Sequence, residues 1–166
     1  SQGDQSLALE SDFSFGLSHY YLGNLETART HLERAVANYV PEKHHANCFL
    51  SCQDVGVTSR SVSAMVLYLL GETDLALARS ASALTLARDL NHPFSQAYAL
   101  GCAAWFNSYR RESEAMATRA RETMELSKAQ ALGWWILWGM IFSGRGLADA
   151  GERETGIKQM EDALGM

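Results

Sequence analysis

The segments LGNLETARTHLERAVA (22–37) and LGETDLALARSASALTLA (70–87) both open on Leu-Gly, place Ala five residues after the Gly, and place a second Ala seven residues later. A chain that repeats one amphipathic stretch with matched small residues is constrained toward repeated helix pairs, because a lone pair cannot bury its own apolar face. In the first segment Leu25, Ala28, Leu32, Ala35, Val36 and Tyr39 share a stripe, and in the second Leu75, Leu77, Ala78, Ala81, Leu84 and Ala87 do. The helical period continues along the chain. Sustained strand-like alternation and Asn-Gly hairpin turns are missing, and the two prolines, Pro41 and Pro93, fall between helical patterns. The expected fold class is all-α.

Aligning the pairs on the loop residue before each second helix selects Gly23, Gly71, Arg110 and Gly151, at intervals of 48, 39 and 41 residues. Five residues further on stand Ala28, Ala76, Ala115 and Gly156; twelve further on stand Ala35, Ala83, Glu122 and Ala163. Seven residues before the anchors stand Gly16, Ala64, Ala103 and Gly144. Packed helix axes lie about 8–10 Å apart, so a small residue on each partner lets the backbones cross closely. Gly at the turn supplies the left-handed conformation that ends a helix. The predicted helices are 4–22 with 24–39, 46–70 with 72–90, 93–109 with 111–131, and 133–150 with 152–165. They form four hairpins (1–40, 41–91, 92–131, 132–166) in one repeat domain, stacked as a right-handed α-solenoid.

Composition narrows the function. With 14 Lys and Arg against 19 Asp and Glu, the net charge of -5 argues against a nucleic-acid partner, which needs a basic face. Three sparse cysteines, Cys48, Cys52 and Cys102, do not make a disulfide framework and point to a reducing, cytoplasmic setting. The strongest apolar run, GWWILWGMIF, has ten residues, against about 20 for a membrane helix. The N-terminal SQGDQSLALE lacks the pattern of a signal peptide, and GIKQMEDALGM stops inside an amphipathic pattern, so a fragment of a larger protein is expected.

The Gly and Ala placement resembles that of tetratricopeptide repeats. The segments ARTHLERAVANYVPEKHH, CQDVGVTSRS and LARDLNHPFSQAYALGCAAWFNSYRRE resemble the repeat arrays of bacterial STAND-type ATPases, adenylate/guanylate cyclases and related transcriptional regulators. In such arrays Tyr-Asp-Pro stands near the first segment and Asp-Pro-Gly-Val near the second; here Val40 and Val55 replace the Asp and the Pro. The resemblance implies a regulatory or sensing arm whose chemistry resides in other domains. Neither a phosphate-binding Gly-x-x-x-x-Gly-Lys-Ser/Thr loop nor a cyclase metal motif occurs in this sequence.

Individual residues lead to the same expectation of a non-catalytic module without a cofactor. On one helix His44, Cys48 and Cys52 would share a face, but they would spread about 12 Å along the axis, too far for one ion. None of His19, His31, His44, His45 and His92 sits in a nucleophile motif; His31 is placed on an exposed helix face and His92 at a helix start. Trp105 and Trp135 are assigned to the core, while Trp138 is shared between core and groove. The charged stretch RRESEAMATRARE (110–122) reads as a solvated face. In repeat arrays of this kind the first helices line the concave face. That mapping gives a protein- or peptide-binding set of Phe13, Leu17, Tyr20, Tyr21, Met65, Tyr68, Asn107, Trp138, Arg145 and Asp149. The partner is a separate protein, a peptide or a neighbouring domain. A small-molecule sensor near Trp105 and Trp138 and a self-association module joined through end repeats are the alternatives.

Overall fold

A computed structural model describes residues 2–48 and 52–165. The described residues are helical with no strand: α1 (Gln2–Tyr21), α2 (Leu25–Asn38), α3 (Pro41–His44), a 3-10 turn (His45–Asn47), α4 (Val55–Leu69), α5 (Thr73–Asp89), α6 (Pro93–Tyr109), α7 (Ser113–Ala129), α8 (Gly133–Asp149) and α9 (Arg153–Leu164). None of these helices is long and apolar enough to cross a membrane. Two compact units result, Ser1–Ser95 and Gln96–Met166.

Turn chemistry sets the rhythm. Gly23, Gly71, Arg111 and Gly151 all adopt positive φ. At each of them the turn residue's N–H reaches the carbonyl three back, and the next N–H reaches the carbonyl five back: Gly23 to Tyr20 and Asn24 to His19, then the same at Gly71, Arg111 and Gly151. This Schellman closure satisfies otherwise orphaned helix-end carbonyls. Asn91 and Ala131 also have positive φ, so left-handed residues fall at 71, 91, 111, 131 and 151, in steps of 20. The third anchor is therefore Arg111, not Arg110. The shift moves the positions facing the crossing to Ala104 and Met116, and Met116 is buried where the other hairpins carry Ala28, Ala76 and Gly156. Ala103, Ala115 and Glu122 do not hold the assigned register.

Small residues do meet at the crossings. A Cβ added to Gly16 of α1 would lie 2.6 Å from Leu32 Cγ and 3.3 Å from the Ala28 carbonyl on α2. One added to Gly144 of α8 would lie 2.7 Å from the Gly156 carbonyl on α9. At such separations the two helices would have to move apart.

The largest departure from the sequence reading lies between α2 and α4. The helix expected from 46 to 70 begins at Val55, where Asp54 caps it by accepting from the Val57 N–H at 3.1 Å. Residues 49–51 of that expected helix lie outside the described residues. Cys52 has φ 61°, so His44, Cys48 and Cys52 do not share one helix face. Once begun, α4 is buried on nearly every side, including Val57, Val62, Met65 and Leu67.

Candidate functional site

In the first unit the irregular segment must find partners for backbone groups that no helix satisfies. Side chains supply them. Val40 N–H donates to His44 Nδ1 at 2.9 Å, and Asp54 N–H donates to Ser95 Oγ at 3.0 Å. Asp54 itself is buried, and its carboxylate gathers donors from three segments. Tyr39 O–H donates to Oδ2 at 2.7 Å, His45 Nδ1–H reaches the same oxygen at 3.0 Å, and the Val57 N–H takes Oδ1. Ser95 Oγ lies 2.9 Å from His92 Nδ1, so its own proton is placed for that nitrogen. The Arg60 guanidinium lies 5.4 Å from the Tyr39 ring centroid and donates to the Gly56 carbonyl at 2.8 Å.

Cys48 Sγ stands 4.0 Å from His45 Nε2, so thiol, imidazole and carboxylate follow in the order of a nucleophile, its base and its orienter. The electrostatics oppose that use. Burial, and then the negative Asp54, push the Cys48 thiol up, and Cys48 is closed to solvent. A reactive cysteine is an accessible thiolate. Burial and the Asp54 charge also push the Tyr39 phenol up, which keeps it a donor. Burial, and secondarily His45, lower His92 from the usual imidazole value. The arrangement works as a staple among the α2 end, the α3 segment, the α4 cap and the α6 start. It unites Tyr39, His45, Asp54, His92 and Ser95, drawn from the very three segments quoted above for the family resemblance. No helical period marks it, because Tyr39, His45 and Asp54 lie where the ladder is broken and Ser95 joins them across 41 residues. The one available signal was Asp54 three residues before Val57, a capping position hidden by the assumption of a continuous helix.

The proposed groove residues separate by burial. Phe13, Tyr20, Met65 and Asn107 are buried, which removes them from any solvent-facing surface of this chain. Tyr20 O–H points at Met65 Sδ, 3.9 Å away, so both serve the packing of α1 on α4. Leu17, Tyr68 and Trp138 are half-buried; Tyr21, Arg145 and Asp149 are exposed. Arg145 pairs with Asp149 at 3.8 Å, and Asp149 Oδ2 accepts from Ser113 Oγ at 2.6 Å. Asp149 lines an open groove of about 520 Å3 between α7 and α8, shared with Glu114, Arg121 and Glu152.

Trp138 is surrounded by rings: Trp105 at 5.4 Å, Phe142 at 5.6 Å, Trp134 at 6.1 Å and Trp135 at 6.2 Å between centroids, while its Nε1–H points at the Gly101 carbonyl. Trp135 is buried and Trp105 half-buried. His31 is not free on an exposed face. It is half-buried, lies 3.0 Å from Asp12 Oδ1, and stacks on Phe15. Arg34 grips the same carboxylate through Nε at 2.7 Å and through its NH2 group, and this holds Asp12 below the usual carboxylate range. Among the described residues no cluster of three or more His, Cys, Asp or Glu side chains could hold a metal. No family model matches the sequence, and no curated protein matches it.

Proposed function

We propose that the chain is a non-catalytic binding module of tetratricopeptide-like hairpins, stacked as a right-handed solenoid and serving as a cytoplasmic regulatory arm of a larger bacterial signalling protein. The observation that carries this reading is the same Schellman closure at four hairpin turns with left-handed residues recurring every 20 positions. Such a frame offers a succession of helix faces for a partner. The protonated, buried Cys48 supports a role without covalent chemistry. The contact set narrows to Leu17, Tyr21, Tyr68, Trp138, Arg145 and Asp149. Three carboxylates along the α7–α8 groove, against Arg121 and the Arg145 paired with Asp149, favour a peptide or protein segment bearing Lys or Arg.

Two measurements test it. Small-angle scattering should give a radius of gyration clearly above the about 15 Å expected of a compact globule of this length; a value at that figure overturns the solenoid. Fluorescence anisotropy against arrayed basic and acidic peptides should select basic ones, with affinity falling about tenfold in Asp149→Ala while circular dichroism is unchanged. Binding indifferent to Tyr68→Ala, Arg145→Ala and Asp149→Ala overturns the surface.

A further inference from the structure

His44 stands beside His45 but takes no part in the Asp54 staple. It is buried, and its ring packs against Tyr39 with centroids 5.8 Å apart. Its Nδ1 accepts the Val40 N–H, so the neutral ring carries its proton on Nε2. Among the described residues nothing accepts that proton. His44 borders a cavity of about 300 Å3, walled by α1 and by the stretch from Asn38 to His44.

The cavity lies on the side of α1 that faces its own hairpin partner. Leu9, Asp12 and Gly16 share that side at i, i+3 and i+7. Gly16 crosses α2 at Leu32, and Asp12 is held by Arg34 and His31 of the same helix. The lining is chemically mixed. Leu9 and Val40 supply apolar surface. Asp12 Oδ1 takes His31 and Arg34, while Oδ2 accepts Arg34 Nε alone among the described residues and keeps a lone pair. Arg34 offsets the Asp12 charge. Lys43, exposed and without an ion pair among the described residues, therefore leaves the lining net positive.

We propose that this cavity binds a small α-amino or α-hydroxy acid with an aliphatic side chain. The carboxylate of such a ligand answers the Lys43 ammonium and the His44 Nε2–H. The neighbouring N–H or O–H donates to Asp12 Oδ2, and the aliphatic chain lies against Leu9 and Val40. The volume stands at the lower end of ligand pockets, about 300–1,000 Å3, and so suits one such molecule rather than a peptide. The cavity belongs to the first unit and the α7–α8 groove to the second, so the two sites are tested independently.

Thermal shift and titration calorimetry of the whole chain with L-leucine, L-valine and the matching 2-hydroxy acids read the binding. At least one of these acids should raise the melting temperature saturably, and a preference between the two classes identifies the ammonium or the hydroxyl as the partner of Asp12. Leucinamide, which lacks the carboxylate, and 4-methylpentanoate, which lacks the donor, should each bind about tenfold more weakly or worse. The analogues test the Asp12 contact without a substitution there, which would release Arg34. Lys43→Ala, at an exposed position, should weaken binding about tenfold with circular dichroism unchanged. Amide shifts on titration should centre on the α1 wall and the stretch from Asn38 to His44, and Asp149→Ala should leave the affinity unchanged. No saturable shift from any of these acids, equal binding of leucinamide, undiminished affinity in Lys43→Ala, or shifts centred elsewhere overturns the proposal.

Discussion

Between α2 and α4 of the first unit, backbone and side chains are tied by Asp54, Tyr39, His45 and Ser95, whereas in the second unit α8 meets α6, α7 and α9 through glycines and indole rings. The spacing of the turns explains the contrast. Arg111 follows Gly71 by 40 residues and Gly151 follows Arg111 by 40, but Gly71 follows Gly23 by 48. A segment that exceeds the regular interval leaves the helical hydrogen-bond ladder, and its amides need partners from elsewhere. Directional bonds then hold the joint. Where the interval is regular the backbone satisfies itself, and close approach at Gly101, Gly139 and Gly144 carries the packing.

The sharpest way to break this contrast is Asp54→Ala. It leaves Tyr39 O–H and His45 without their buried acceptor and removes the α4 cap, so a loss of about 3–5 kcal/mol is expected. Urea unfolding followed by hydrogen exchange should show the added opening within residues 39–95 first; uniform loosening of both units would contradict the division. Next in size is Gly156→Ala. Ala favours a helix over Gly by about 1 kcal/mol, yet the new methyl would press on the Gly144 carbonyl and, at 2.8 Å, on the Ala148 nitrogen. A net loss of about 1–3 kcal/mol is expected, and a stabilised variant would show that the α8–α9 crossing is looser than its geometry. The smallest effect is acid. All five histidines lie at or before position 92, so the second unit has none. Burial lowers His92 below its ordinary 6.5. Its contribution is therefore complete above that value and is lost as pH falls from there through the lowered folded-state value. Between pH 7 and 5.5, calorimetry and exchange should register weakening in the first unit ahead of the second.

Legibility followed the same division. Helices α5 to α9 fall within two residues of their predicted bounds, because period, Pro93 and the glycines at 71 and 151 mark them. Arg111 was misplaced by one residue because a left-handed Arg carries no signature that Gly would. The start of α4 was set nine residues early, since FLSCQDVGV continues an apolar pattern that periodicity cannot tell from helix. Small residues at the crossings were read correctly at Gly16 and Gly144 from spacing alone. The Ser95 arm of the Asp54 staple and the Tyr20–Met65 contact join elements 41 and 45 residues apart, and spacing within one helix holds no record of that.

The hairpin turns all close through the same pair of main-chain hydrogen bonds, and a Cβ at Gly23, Gly71 or Gly151 would meet nothing within 4 Å. Such corners place almost no demand on the identity of their neighbours beyond the handedness of one residue. Each such turn therefore constrains the sequence through one left-handed residue, met alike by Gly71, Arg111 and Gly151, 40 residues apart. The 48-residue interval is the one place where a change of length had to bring its own fastenings.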